Sequence, residues 1–285
     1  MKTGVIGLGV MGGAMALNLH KAGLLYQVWN RTTAKAEDIA SQTGVSVAES
    51  ISSLASECEA IIICVSKDED VLDVVNEIAK GIKPGSTVID TSTVSSDTAK
   101  QAAEIINGQG GQFLDCPVTG GSEGAKNATL SIMVGGEEST LDNVREVLSA
   151  IGKKIIHIGP TGSGQACKAV NQVICAGINQ AVTEGLAFGD ALELNMDKVL
   201  EAISAGAAGN WFMDHRGKTM LAGTYAPGFK LKLHLKDLDI CLEMADKLPG
   251  YDLTLTDVTA RDYEKLVEMG HGEEDISTLF RLKKA

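Results

Sequence analysis

The chain has 285 residues, room for two domains of roughly 150 residues each and for a real core in both. Its 25 basic and 37 acidic residues leave a net charge of −12, which argues against a surface built for nucleic acid or anionic lipid. A composition 44% hydrophobic and 22% charged is that of a folded globular chain and excludes a disordered one.

The longest purely apolar stretch, Ala60 to Val65, is far short of the ~20 residues a membrane span needs. Met1-Lys2-Thr3 runs straight into a strand-like segment without a secretory apolar region, so no membrane association and a cytoplasmic location are expected. Cys58, Cys64, Cys116, Cys167, Cys175 and Cys241 show neither paired nor zinc-finger spacing; Cys64 and Cys175, in apolar surroundings, read as buried free thiols. The five histidines form no HxxxH or HExxH pair, and no metal is expected.

In chain order, a strand at Thr3 to Ile6 leads into Gly7-Leu8-Gly9-Val10-Met11-Gly12, after which apolar residues recur at helical spacing up to Gly23. A second strand follows at Leu25 to Trp29. Short apolar runs at Ala60 to Val65, Thr87 to Ile89 and Gln112 to Leu114 then alternate with helices at Asp70 to Ala79 and Ser96 to Ile106. Such alternation predicts a parallel sheet with helices on both faces. Two further strands, Leu130 to Val134 and Lys154 to Ile158, flank a helix at Ser139 to Ala150 before Gly159-Pro160-Thr161-Gly162 punctuates the chain. We place the domain boundary there, giving an α/β domain over 1–162 and an all-helical domain over 163–285. The second opens on one long proline-free helix, Gly164 to Leu194, apolar enough to be buried on most sides. Gly177, Gly185 and Gly189 inside it either admit another helix at close range or are tolerated destabilisation.

The GxGxxG turn is weak alone but stands between a strand and a helix of a βαβ unit, the setting of a dinucleotide site. There Gly7 permits the tight turn, Gly9 lets the backbone approach a pyrophosphate and Gly12 allows close packing of the helix. The helix N-terminus, with Leu8, Val10 and Met11, then offers N–H groups to the phosphates. At the end of the second strand, where an NAD-selective site places a carboxylate on the ribose, the chain carries Asn30-Arg31-Thr32. A guanidinium and a hydroxyl suit a 2′-phosphate, so NADP(H) is expected over NAD(H); the alternative for Arg31 is a solvated loop charge.

Two more segments bear on chemistry. Asp115 to Ala125 is a glycine-dense loop able to expose backbone N–H groups to a carboxylate, or simply a chain reversal. Lys168, among Ala166, Cys167, Ala169 and Val170, is either a desolvated proton donor and base or a lysine that snorkels or pairs with a carboxylate.

Together the glycine turn, the Asp115 to Ala125 loop, the Gly162-x-Gly164-x-x-x-Lys168-x-x-Asn171 run and Lys236-Asp237-Leu238 resemble the β-hydroxyacid dehydrogenases over nearly the whole chain. That family includes 3-hydroxyisobutyrate dehydrogenase, tartronate semialdehyde reductase and glyoxylate/succinic semialdehyde reductase. The resemblance implies a Rossmann domain joined by a long helix to an all-α domain, with Lys168 as catalytic acid/base. It implies that Thr119, Gly120, Gly121 and Ser122 hold the substrate carboxylate, that Asn171 and Gln172 contact substrate, and that Val65, Ser66, Thr93 and Lys236 reach the cofactor. It also implies a homodimer or homotetramer. Thr119 stands where serine is common and Gln172 where asparagine is, although tartronate semialdehyde reductases also carry Gln; both changes reshape a substrate pocket without touching the lysine.

The expected function is therefore NADP(H)-dependent hydride transfer between a small β-hydroxy acid and its semialdehyde or oxo acid. The rivals are a catalytically silent NADP-binding scaffold or sensor, which has no use for a buried proton donor, and a 6-phosphogluconate dehydrogenase-like decarboxylase. The second needs extra basic residues for a sugar phosphate. Trp211 and Phe212, followed by Asp214 and His215, either line a pocket or pack in the core.

Overall fold

The computed structural model describes residues 1–284 and separates into two compact units, Met1–Lys168 and the chain from Ala169 onward. In the first, β1 (Thr3–Ile6), α1 (Val10–Lys21), β2 (Leu25–Trp29), α2 (Thr33–Thr43), β3 (Ser46–Val47), α3 (Ile51–Glu57), β4 (Ala60–Ile63), α4 (Asp68–Ala79), β5 (Thr87–Asp90), α5 (Ser96–Asn107) and β6 (Gln112–Asp115) alternate as the periodicity requires. The strands run parallel in the order β3-β2-β1-β4-β5-β6. This is a Rossmann-type α/β domain.

Successive residues along each central strand face opposite layers, because strand side chains alternate. Val5, Ile62, Ile89 and Leu114 pack with α1 residues such as Met15 and Leu19 on one face. Ile6, Ile61, Ile63, Val88 and Phe113 pack with Leu54, Val75 and Ile106 on the other. Strands buried on both faces are near-continuous apolar runs, and this is why Ala60 to Ile63 reads as a strand with no polar alternation.

The expectation of a parallel sheet needs one correction. After β6 come β7 (Val118–Thr119), α6 (Gly121–Lys126), β8 (Leu130–Gly135), α7 (Glu138–Ser149) and β9 (Gly152–Gly159). β8 is antiparallel to both β6 and β7, and β9 is parallel to β8. The sheet is mixed because the chain returns through the short β7–α6 loop and not through a full crossover helix. Periodicity also gave no sign of α3, whose start is a reciprocal cap between Ser50 and Ser53; serine replaces the Glu or Gln by which such a box is recognised.

The long helix, α8, runs Ser163–Ala191, shorter than the expected Gly164 to Leu194. Glu193 adopts a left-handed φ of 55° and Leu194 N–H turns back to the Gly189 carbonyl, so the chain leaves the helix there. Nor is α8 buried on most sides: Val170, Ile174, Phe188 and Leu192 just past its end are exposed. Of its glycines, Gly177 and Gly189 are closely approached by Leu255 and Met196, whereas the space beside Gly185 is open. Cys64 and Cys175 are half-buried rather than buried; Cys58, Cys116 and Cys241 are the buried thiols.

The second unit continues with α9 (Met196–Ser204), α10 (Trp211–Leu221), α11 (Leu231–Asp246), α12 (Thr254–Glu268), a 3-10 turn (Ile276–Leu279) and α13 (Phe280–Lys283). Its core gathers Leu186, Phe212, Met220, Leu238, Tyr263 and Phe280. A buried polar cluster lies inside it: Asn179 Nδ2 donates to the Tyr263 hydroxyl at 2.6 Å and to the Ile276 carbonyl at 2.8 Å, with His234 Nδ1 3.1 Å from the same hydroxyl, while Asn179 Oδ1 is buried without a partner. Among the described residues no helix is long and apolar enough to cross a membrane.

Candidate active site

Ligands of open α/β sheets bind beyond the carboxyl ends of the strands, where the strand order reverses. Here that point lies between β1 and β4, which flank the reversal. The glycine turn leaves β1 with Gly7 at φ +92°, and a Cβ on Gly7 would lie 2.2 Å from the Cys64 carbonyl oxygen. On Gly12 a Cβ would lie 1.9 Å from the Gly7 carbonyl oxygen, whereas nothing stands within 4 Å of the Gly9 position. Two glycines are thus required by the protein's own packing, and Gly9 leaves its space open. α1 begins at Gly9 with no side-chain cap and no acidic residue in its first turn; Leu8 is buried, Met11 half-buried and Val10 exposed. Uncapped N–H groups at a helix start are suited to an anion, so the turn fits a dinucleotide pyrophosphate.

The three residues after β2 divide their work. Asn30 Oδ1 accepts the Leu8 N–H at 2.8 Å and its Nδ2 donates to the Thr32 carbonyl at 2.9 Å, so Asn30 braces the glycine turn from behind. Arg31 is 85% exposed at its side chain, with one guanidinium N–H on Asp70 at 3.2 Å, and Thr32 is exposed. A cavity of about 440 Å³ beside the turn is lined by Leu8, Gly9, Val10, Gly13, Ala34, Lys35, Asp38 and Ile39. Lys35 is a cation that motif reading did not single out; its proximity to the turn emerges only when α2 folds back along β2.

The same carboxyl edge carries Val65 and Ser66 after β4 and Thr93 after β5. Val65 N–H donates to Ser92 Oγ at 3.0 Å, which ties the two loops together; Thr93 is half-buried and Ser66 exposed. Beneath them Asp90 and Asp115 are direct partners in the β5–β6 register. Asp90 Oδ1 accepts the Ser92 N–H at 3.0 Å, while its Oδ2 is buried without a partner. Burial pushes the Asp90 carboxyl up to about 6 from an ordinary 3.8, and the nearby Asp115 charge adds to the rise.

A carboxyl raised on folding stabilises the native state below its unfolded pKa and loses that contribution as pH rises through the folded one. Asp90 should therefore cost stability progressively from about pH 4 to about pH 6, on the order of 3 kcal/mol at full ionisation. In Asp90→Asn that slope should flatten, since the amide keeps the Ser92 contact and carries no charge. Melting temperatures recorded across this window check it; an unchanged slope would show that Asp90 is not the titrating group.

Lys168 is buried and its Nζ donates to the Val118 carbonyl at 3.0 Å. An ammonium has three N–H donors, and committing one to Val118 fixes the direction of the Cε–Nζ bond. Val118 immediately precedes the predicted carboxylate loop. Gly120 and Gly121 have φ of +127° and +61°, a pair of left-handed turns that ordinary residues resist and that swings the chain into α6. Thr119 and Ser122 are half-buried and both glycines exposed. The fold thus brings Lys168 to the root of the Thr119–Ser122 loop, some fifty positions away in sequence. Asp115 holds the lysine's helix from below: its carboxylate accepts the Gly162 N–H at 2.8 Å and the Gln165 N–H at 2.9 Å.

Asn171, Gln172 and Lys236 belong to the second unit and form a chain there. Asn171 Nδ2 donates to Gln172 Oε1 at 2.7 Å, Gln172 Nε2 donates to Asp237 Oδ2 at 2.6 Å, and Lys236 pairs with Asp237 at 2.8 Å. Asp237, quoted in the sequence only as part of a motif, is the buried carboxylate that joins the other two. Trp211 is 60% exposed and stacks on His215 at 4.1 Å, whereas Phe212 lies in the core. Among the described residues no group of three His, Cys, Asp or Glu could hold a metal ion.

A Rossmann sheet with an open glycine turn, joined to a helical second unit, defines the NAD(P)-binding oxidoreductases. Residues 2–159 match the family described as the NAD binding domain of 6-phosphogluconate dehydrogenase. Residues 162–283 match the one described as NAD-binding of NADP-dependent 3-hydroxyisobutyrate dehydrogenase. The chain is 37% identical to 2-hydroxy-3-oxopropionate reductase of Escherichia coli over 87% of its own length and 85% of that protein's. It is 30% identical to glyoxylate/succinic semialdehyde reductase 1 of Arabidopsis thaliana over 100% of its length and 99% of the relative's. The solved structure of Mycobacterium tuberculosis 3-hydroxyisobutyrate dehydrogenase with L-serine superposes with a TM-score of 0.90 at 29% identity, covering 100% of this chain and 99% of that one. The chain belongs to the β-hydroxyacid dehydrogenase family, and it is an oxidoreductase that acts on CH–OH groups.

Proposed function

We propose that this enzyme uses NADP(H) in preference to NAD(H) to interconvert a small β-hydroxy acid and its semialdehyde or oxo acid in the cytoplasm. Residues 1–162 bind the cofactor and 163–285 supply substrate contacts and self-association. The observation that carries the reading is the buried Lys168, its ammonium held on the Val118 carbonyl at the root of the Thr119–Gly120–Gly121 turn. Both lie in the unit that also bears the open glycine turn. When bound, the nicotinamide supplies or accepts the hydride. Lys168 Nζ gives a proton to the carbonyl oxygen in reduction and takes one from the hydroxyl in oxidation. The Thr119 to Ser122 loop holds the substrate carboxylate with backbone N–H groups and hydroxyls, and Asn171 and Gln172 take the rest of the substrate. Val65, Ser66, Thr93 and Lys236 contact the cofactor.

Initial rates of NADPH oxidation with succinic semialdehyde, glyoxylate, tartronate semialdehyde and methylmalonate semialdehyde, each repeated with NADH, test this directly. Turnover of at least one acid with NADPH is the expected result; tight NADPH binding without turnover of any would favour a silent scaffold. Two relatives, a 2-hydroxy-3-oxopropionate reductase and a glyoxylate/succinic semialdehyde reductase, guide the choice of panel.

For the cofactor, Arg31 supports a 2′-phosphate: its exposed guanidinium can turn from Asp70 to the more highly charged group. A charge-assisted hydrogen bond of about 1.5–3 kcal/mol corresponds to roughly 10- to 100-fold in affinity. Arg31→Ala should lower kcat/KM for NADPH by that factor and leave NADH within a few-fold. Equal losses with both cofactors would assign Arg31 to the loop's structure. The exposed apolar stripe Val170, Ile174, Phe188 and Leu192 supports a homo-oligomer, and light scattering at a monomer mass of 29.8 kDa would remove that part of the reading.

A further inference from the structure

Gln165 is almost fully buried, at 1% exposure, in the first turn of α8, three positions before Lys168. A buried primary amide needs partners at both ends, and here both lie on one short piece of main chain. Gln165 Nε2 donates to the Ser92 carbonyl at 2.9 Å, and Gln165 Oε1 accepts the Val94 N–H at 3.2 Å. The side chain thus bridges the backbone on either side of Thr93, as a neighbouring strand would. Its own backbone N–H is fixed by Asp115 Oδ2 at 2.9 Å, and Ser96 Oγ donates to the Gly162 carbonyl at 2.9 Å. Two loops from different strands are thereby bound to one helical turn, all within the first unit.

We infer that Gln165 is a positioning residue that clamps the Ser92–Val94 main chain to the helix bearing Lys168. The inference rests on the proposed reading in which Thr93 faces the cofactor and Lys168 transfers the proton. The clamp sets the distance between the group that orients the hydride and the group that moves the proton, because neither loop nor helix can shift without breaking a buried hydrogen bond. Displacement of a reacting group by about 1 Å costs on the order of 100-fold in rate, so this amide should act on kcat and little on binding.

Gln165→Met keeps the length of the side chain and removes both hydrogen bonds; Gln165→Glu keeps the acceptor for Val94, and only its protonated form can donate to Ser92. With NADPH and the fastest aldehyde of the panel, Gln165→Met should lower kcat about 10- to 100-fold with KM for both substrates within about 3-fold. The Gln165→Glu variant should recover turnover as pH is lowered, where its carboxyl becomes a donor. Added to Lys168→Ala, Gln165→Met should cost almost nothing more, since it acts through the lysine. Amide hydrogen exchange reads the clamp without any turnover: Val94 N–H should exchange at least about 10-fold faster in Gln165→Met, as a buried donor that has lost its partner.

Unchanged exchange at Val94 would overturn the clamp, and faster exchange with parental kcat would overturn its role in the reaction. Should Gln165→Met fail to fold, the pH response of Gln165→Glu decides alone: a profile parallel to the parent's overturns the inference. Near-normal turnover in Lys168→Ala would instead sink the proton-transfer reading and leave the exchange result standing.

Discussion

Lys168→Ala is expected to lower kcat by at least ~100-fold, the lower end of what a general acid/base contributes, with NADPH affinity retained. The physical basis is the pairing of burial with a fixed contact, the Val118 carbonyl at 3.0 Å from Nζ. Alanine removes the proton donor and leaves the Val118 carbonyl without it. Lys168→Arg separates charge from proton transfer: a guanidinium can still donate to Val118 but cannot deprotonate near neutral pH, so it should be nearly as slow as alanine. A small primary amine added to Lys168→Ala should restore part of the rate of reduction at pH below the amine's own pKa, where its ammonium form can donate the proton. Stopped-flow or steady-state rates with the panel aldehydes check all three, and near-parental turnover in Lys168→Ala would remove the residue from the mechanism.

The second large effect is expected at Gly12. A methyl group there would stand 1.9 Å from the Gly7 carbonyl oxygen and 3.1 Å from Cys64 Cβ. Real Cβ atoms do not approach a carbonyl oxygen so closely, and this neighbour is backbone, so the turn itself must move. In the proposed reading the uncapped start of α1 faces the pyrophosphate, so Gly12→Ala should weaken NADPH binding by about 100-fold or more, close to 3 kcal/mol for a site that supplies several backbone hydrogen bonds at once. Isothermal titration with NADPH measures it directly. Gly9→Ala gives the complementary control. No protein atom opposes its Cβ, so the apo-protein should fold and melt as the parent does and lose affinity only where ligand and methyl compete. Equal affinity for NADPH in both variants and the parent would mean that the cofactor lies elsewhere.

Much of the first unit was legible because its signals are local. Four buried central strands are short apolar runs, the turn after β1 is written in glycines, and the helices between have one apolar face each. The mixed direction of the sheet was not legible, since β7 has two residues and a run that short has no periodicity to read. The exposed stripe on α8 is not legible in the sequence for a related reason. An apolar helix shows how much surface could be covered, and not whether anything covers it. Likewise the Asn30-Arg31-Thr32 run reads as facing ligand throughout, whereas the Asn30 side chain is spent on Leu8 and the Thr32 carbonyl. Lys35 and Gln165 carry no motif by which to find them, and the Lys236-Asp237-Leu238 motif gives no sign that Asp237 joins Gln172 to Lys236.

What the sequence by itself determined is the inventory of candidate segments: the glycine turn, the basic loop after β2, the glycine-dense Asp115 to Ala125 loop and the lysine, each fixed by covalent order and by conformations only certain residues adopt. What only the tertiary structure decided is which of these meet. Lys168 reaches Val118, Gln165 grips the chain around Thr93, and Asp115 holds Gly162 and Gln165 because β5, β6 and the start of α8 come together at one edge of the sheet. Hydrogen bonds between residues some 50 to 70 positions apart leave no periodic trace along the chain. They form only once the apolar faces of the strands have packed and brought their carboxyl ends into line.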